Sequence, residues 1–158
     1  MKKIFLSLLV VLGTISCSKA QKSEFSPEAL TEKLQTLDGK EISFKEILNK
    51  HKGKTLVIGD CVKAMPKVKD MQEKSPTTDY IFISMDKTAD KWKTGIEKHE
   101  LKGEHYLTLD GMKGKFGKAI DLDWIPRYIV IDKKGKIAIY RAIETDFDKI
   151  NATLKKLK

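Results

Sequence analysis

The sequence predicts one α/β domain, a mixed β-sheet flanked by helices, and three observations carry that reading. Thr55 to Ile58 and Tyr80 to Met85 are short apolar runs, the pattern of strands buried on both faces in a parallel sheet. Each is followed by apolar residues at helical spacing: Val62, Met65, Val68 and Met71 after the first, Trp92 and Ile96 after the second. Downstream, Lys133-Lys134-Gly135 separates two further runs as a hairpin turn, and a tight hairpin demands an antiparallel pair. Helix-linked parallel strands joined to such a hairpin give a mixed sheet. At 158 residues the chain builds one sizeable core and not two.

The remaining elements follow in order. Leu37-Asp38-Gly39-Lys40 is a turn between two short extended pieces within Leu34 to Ser43. Ser43 is placed to cap a helix over Phe44 to Lys50, whose Phe44, Ile47 and Leu48 share a face. His105 to Leu109 predicts a short strand and Lys115 to Leu122 a brief helix. Arg127 to Asp132 and Lys136 to Arg141 are the hairpin strands, and Phe147, Ile150, Leu154 and Leu157 mark a closing amphipathic helix.

The N-terminus reads as an export signal over residues 1–20. Lys2 and Lys3 precede Ile4 to Gly13, an apolar run broken only by Ser7 and too short to span a bilayer. Two exits are open. Thr14-Ile15-Ser16-Cys17 resembles a lipoprotein signal box in which Cys17 becomes the lipidated first residue, although the box usually has Leu where Thr14 stands. Ordinary cleavage after Ser18-Lys19-Ala20 is the other. The box is preferred, because a cysteine directly after an apolar core otherwise has no explanation. Residues 21–29, polar and containing Pro27, are expected to be a tether, and residues 30–158 the domain.

Charged residues make up 34% and hydrophobic residues 41% of the chain, the balance of an ordinary soluble domain. Without Lys2 and Lys3, 29 basic residues stand against 22 acidic ones. The lysines are scattered and do not interleave with aromatics, so a solvated surface is expected and a nucleic-acid partner is not. An exported protein normally pairs its cysteines. Beyond Cys17 only Cys61 is present, which leaves no disulfide framework.

Three segments in order resemble the TlpA/ResA-like branch of the thioredoxin superfamily. They are Asp38-Gly39-Lys40-Glu41-Ile42-Ser43 with the following helix and Gly53-Lys54, then Cys61-Val62-Lys63-Ala64-Met65-Pro66, then the stretch from Trp124-Ile125-Pro126 to Gly135. The middle segment resembles the part of a Trp-Cys-x-x-Cys motif that begins at its resolving cysteine. The resemblance implies a thioredoxin-like fold, thiol–disulfide exchange in the cell envelope, and a cis peptide bond before Pro126. It also implies that Ile125 presents backbone groups to an extended substrate. No cofactor is implied.

The departure from the family pattern is as informative as the match. Ile58 is followed directly by Gly59-Asp60-Cys61, so the strand end, the tryptophan loop and the first cysteine are missing. About seven residues are gone, on the order of 20 Å of extended chain, and the central strand is expected to be shortened. Natural loss and a recent in-frame deletion both account for the junction.

In the intact motif the first cysteine attacks and the second resolves the mixed disulfide. Cys61 occupies the resolving position, near a helix start that favours a thiolate, with Lys63 supporting and Asp60 opposing. A lone thiol forms a mixed disulfide but cannot release it intramolecularly. Cys61 is therefore the candidate catalytic residue for monothiol chemistry at best, or else a small buried apolar residue. Ile125 and Pro126 are candidate substrate-binding residues. Trp92 and Trp124 are expected to pack in the core. The expectation for His51, His99 and His105 is the surface, outside any metal-ligand spacing, and for Asp121 and Asp123 solvation of a loop. Envelope proteins with cysteines or disulfides are the implied partners, with the membrane reached through a lipid on Cys17. The competing function is a non-catalytic module that binds envelope proteins through the Pro126 face.

Overall fold

The computed structural model describes residues 21–59, 64–108 and 110–158. Along them run α1 (Pro27–Thr31), β1 (Lys33–Gln35), β2 (Glu41–Ser43), α2 (Phe44–Lys50), β3 (Leu56–Gly59), α3 (Met65–Lys74), β4 (Asp79–Ser84) and α4 (Ala89–His99). There follow β5 (Glu104–Leu107), α5 (Lys115–Ala119), β6 (Tyr128–Ile131), β7 (Ile137–Ala142) and α6 (Phe147–Lys156). The strands form one mixed sheet in the order β2-β1-β5-β4-β3-β6-β7. β3 pairs in parallel with β4, and β4 with β5, while β6 runs antiparallel to both β3 and β7.

Side-chain alternation along β3 sorts the core into two layers. Leu56 and Ile58 join Ile81, Ile83, Ile129 and Ile131 beneath Ala29 of α1, Phe44 and Ile47 of α2, and Phe116 of α5. Val57 points the other way, with Tyr80, Tyr128 and Val130, against Val68 and Met71 of α3 and Phe147, Ile150 and Leu154 of α6. Burial on both faces is why this strand reads as an unbroken apolar run. Among the described residues β3 runs to Gly59 opposite Phe82, and β4 continues to Ser84, where its partner is Leu107 of β5.

Helix starts follow local chemistry. Ser43 and Glu46 form a reciprocal capping box on α2, an arrangement worth about 1 kcal/mol. Thr88 caps α4 through the Lys91 amide.

Residues 21–29 are not the expected tether. Phe25 packs edge-on against Phe44 at 4.9 Å, and Ala29 is fully buried in α1. Pro27 opens that helix, with Ser26 as its cap. Ahead of it, the Ser23 carbonyl accepts from the Ile137 amide at 2.9 Å, Gln21 Nε2 donates to the Ala138 carbonyl at 2.7 Å, and Glu24 pairs with Lys136. Two apolar residues and the unpaired edge of β7 hold a segment whose composition is otherwise that of a linker. No helix among the described residues is long and apolar enough to cross a membrane.

Candidate redox face at the end of the central strand

The fold brings three chain segments to one end of the sheet: the end of β3, the start of α3 and the loop into β6. Gly59 pairs with Tyr128, two residues after Pro126. The Ile125–Pro126 peptide bond is cis, and Pro126 is buried while Ile125 is half-buried. α3 starts at Met65 with Pro66 in its first turn, and its N-cap residue Ala64 supplies no side-chain acceptor. The first-turn amides there carry the positive end of the helix dipole. Cys61, Asp60, Val62 and Lys63 lie outside the described residues, as does Cys17.

The Pro126 loop is braced by charge. Asp123 receives both Arg127, four residues on, and Arg141 of β7. Arg141 Nη1 also donates to the Asp121 carbonyl at 3.2 Å, and the Asp121 carboxylate takes Lys22 and, at 3.2 Å, the Tyr140 hydroxyl. Desolvation by itself raises the Asp123 pKa, but the Arg141 hydrogen bond and the charges of Arg127 and Arg141 outweigh it and hold the carboxyl at about 2. Asp121 is likewise held below the usual range, first by its bond from Lys22. Both aspartates thus set the loop's shape and are not merely solvated. Arg127 is only 7% exposed, its Nε has no hydrogen-bond partner among the described residues, and it lines a small cleft with Ile58, Gly59, Phe116 and Leu122.

Expectations for the tryptophans divide. Trp92 is core, 3% exposed, but Trp124 is 56% exposed and stands two residues before Pro126. Its neighbours Asp123 and Ile125 are held by the arginine pairs and by the cis-proline turn. The histidines depart from expectation as well. His51 is nearly buried, its Nδ1 2.8 Å from Asp79 and its Nε2 3.5 Å from Glu104, at the opposite end of the sheet. His105 stacks on Phe82 at 5.0 Å, and desolvation lowers its pKa against the opposing bond to the Leu101 carbonyl. His99 is half-buried. Among the described residues no three of His, Cys, Asp and Glu form a metal-binding group.

Sequence reasoning missed Arg127 and Trp124. A usable signal for the first existed: an arginine heading an apolar strand, four residues after an aspartate. None marked Trp124, because exposure of an aromatic is a tertiary property.

A mixed sheet between two helical layers, with a cis-proline loop beside the end of its central strand, is the architecture of a thioredoxin-fold protein. A family model described as thioredoxin-like matches residues 53–137, just over half the sequence, and the chain belongs to that family. Among solved structures, a thiol–disulfide oxidoreductase from Bacteroides fragilis is 20% identical, aligned over 80% of this chain and 96% of its own, with a TM-score of 0.67. A Bacteroides vulgatus protein provisionally assigned as a thiol–disulfide oxidoreductase is 25% identical over 84% of this chain and 89% of its own, with a TM-score of 0.64. A secreted Mycobacterium tuberculosis disulfide oxidoreductase, homologous to DsbE of E. coli, is 14% identical over 84% and 100%, with a TM-score of 0.63. No curated protein matches the chain.

Proposed function

We propose that this chain is an exported cell-envelope protein of the thiol–disulfide exchange family in which Cys61 supports monothiol chemistry at best. The observation that carries the reading is the pairing of Gly59 with Tyr128. It fixes the chain two residues before Cys61 beside the cis-Pro126 loop, and two residues reach at most about 7.6 Å along Cα positions. Ile125 and Pro126 of that loop would pair with an extended, cysteine-bearing segment of an envelope protein, whose disulfide Cys61 would attack. Export, with lipidation at Cys17, is supported by the N-terminal sequence and by the secreted character of the M. tuberculosis neighbour.

The single thiol sets the chemistry. The Cys61 thiolate attacks one sulfur of a partner disulfide, a mixed disulfide forms, and the other sulfur leaves as a thiolate. Release then needs a second thiol from outside the chain.

Alkylation of Cys61 against pH tests this. Reaction that titrates well below the free-thiol value of about 8.5 is the expected result. A thiol that reacts only after denaturation overturns the redox reading and leaves a binding module, for which the exposed Trp124 is the specific support.

A further inference from the structure

We propose that the lipid on Cys17 docks the β7 edge of the sheet on the membrane surface, so that the Pro126 loop works beside the bilayer. The proposal rests on the lipidation included in the function proposed above, and not on the chemistry of Cys61.

The length of chain ahead of the fold carries it. Described structure reaches back to Gln21, whose Nε2 donates to the Ala138 carbonyl at 2.7 Å. Lys22 pairs with Asp121, the Ser23 carbonyl accepts from the Ile137 amide, and Glu24 pairs with Lys136. Residues 21 to 24 are thus fastened to the outer strand and to the segment that leads into Pro126. Four Cα steps separate Cys17 from Gln21, a span of at most about 15 Å. At about 4.8 Å between strands, the seven-stranded order puts β2 about 29 Å from β7. That exceeds the span, so a domain tied at Cys17 cannot turn its β2 edge to the bilayer with β7 uppermost.

The same contacts bring the Pro126 loop along. From Glu24 back to Gln21 the chain runs beside β7 from Lys136 to Ala138, toward Ala142, which pairs with Tyr128 at the start of β6. Lys22 holds Asp121, and Arg141 joins the Asp121 carbonyl to the Asp123 carboxylate. Partners reached from this position present their cysteines close to the bilayer.

Charge around Gln21 suits anionic headgroups. Gln21 shares a cleft with Tyr140, Arg141 and Lys149 of α6. The acids of the loop are taken: Asp121 by Lys22, Asp123 by Arg127 and Arg141. Lys149 is exposed and pairs with no carboxylate among the described residues. Asp148, exposed on the same turn, offsets part of that charge. Attraction to anionic lipid fades within about 10 Å, so the short span is what lets the cation act, and the cation then favours the edge.

Energy transfer from a dye on the lipidated full-length chain to rhodamine-headgroup lipid tests this, in vesicles of phosphatidylethanolamine and phosphatidylglycerol. Cys61→Ser removes the competing thiol, and the dye is carried on Lys149→Cys or on Lys40→Cys, just before β2; both side chains are exposed. With about 29 Å between the edges, transfer from position 149 should be at least about twice that from position 40. A Gly-Ser insert of about twenty residues between Ala20 and Gln21, spanning about 25 Å, should abolish that ratio. Equal transfer from both positions, stronger transfer from position 40, or a ratio the insert leaves unchanged would overturn the docking. A ratio seen only at high protein-to-lipid content would overturn it as well, assigning the edge to a second copy. The mass of the N-terminal peptide reads lipidation independently: a chain cleaved after Ala20 without lipid removes the anchor itself, whereas a lipidated chain with equal transfer removes only the docking. Alkylation of Cys61 in the parent chain reads the redox function apart from both.

Discussion

Gly59 and Tyr128 face each other across β3 and β6, and a Cβ at Gly59 would stand 3.0 Å from two carbons of the tyrosine ring. The ring cannot step aside, because it is 1% exposed and sits edge-on to Phe147 at 5.1 Å. Gly59→Ala should therefore cost about 1–3 kcal/mol through overpacking. Urea unfolding with an unchanged m-value would read it. Tyr128→Leu in the same chain should recover part of the loss.

Two other glycines should respond in opposite directions. Gly103 has φ +146°, and a Cβ there would collide with the Tyr80 carbonyl oxygen, so alanine forces the backbone to move. Gly103→Ala is expected to destabilise by about 2 kcal/mol or more. Gly95→Ala meets no neighbour and should stabilise by up to about 1 kcal/mol. Thermal melts of the pair, side by side, check the contrast.

Asp123 gives a pH signature with a definite sign. Its carboxyl is held at about 2 in the folded chain, below its unfolded value. The stabilisation is present above the unfolded value and is lost as pH falls through about 2. Asp123→Asn should thus be less stable than the parent at neutral pH, with the gap closing between about pH 4 and pH 2. A gap that stays constant over that range would mean that the Arg127 and Arg141 contacts contribute nothing through charge.

Trp124 separates folding from docking. Removing an exposed side chain changes stability by no more than about 0.5 kcal/mol, whereas an aromatic anchor at an interface carries enough energy for a tenfold or larger loss of binding. Trp124→Ala is expected to melt like the parent while trapping about tenfold less cysteine-bearing partner in mixed-disulfide assays. Equal trapping would remove the indole from the docking surface.

Much of the fold was legible because the strands and helices of the core carry strong periodic signals. β3 and the Tyr80–Ile83 stretch of β4 are apolar because the sheet is covered on both faces, and α6 shows Phe147, Ile150 and Leu154 at helical spacing. The cis bond at Pro126 followed from resemblance, not from any local pattern. Residues 21–29 misled because their composition is polar, and only Phe25 and Ala29 hint at burial. His51 was unreadable for a different reason. Its partners Asp79 and Glu104 are 28 and 53 positions away along the sequence, and only the alignment of the β4 and β5 starts brings them together.

The segment ahead of α1 has a consequence for solubility. β7 is the last strand of the sheet, and an open outer strand is a template for pairing with another molecule. Ser23 occupies the Ile137 amide on that strand and Gln21 the Ala138 carbonyl, while the Lys136–Glu24 pair adds charge beside them. These few residues act as a guard rail against sheet-to-sheet association between copies. A fragment trimmed to begin at Leu30 would keep most of its core yet lose that guard, and it would be prone to assemble through β7.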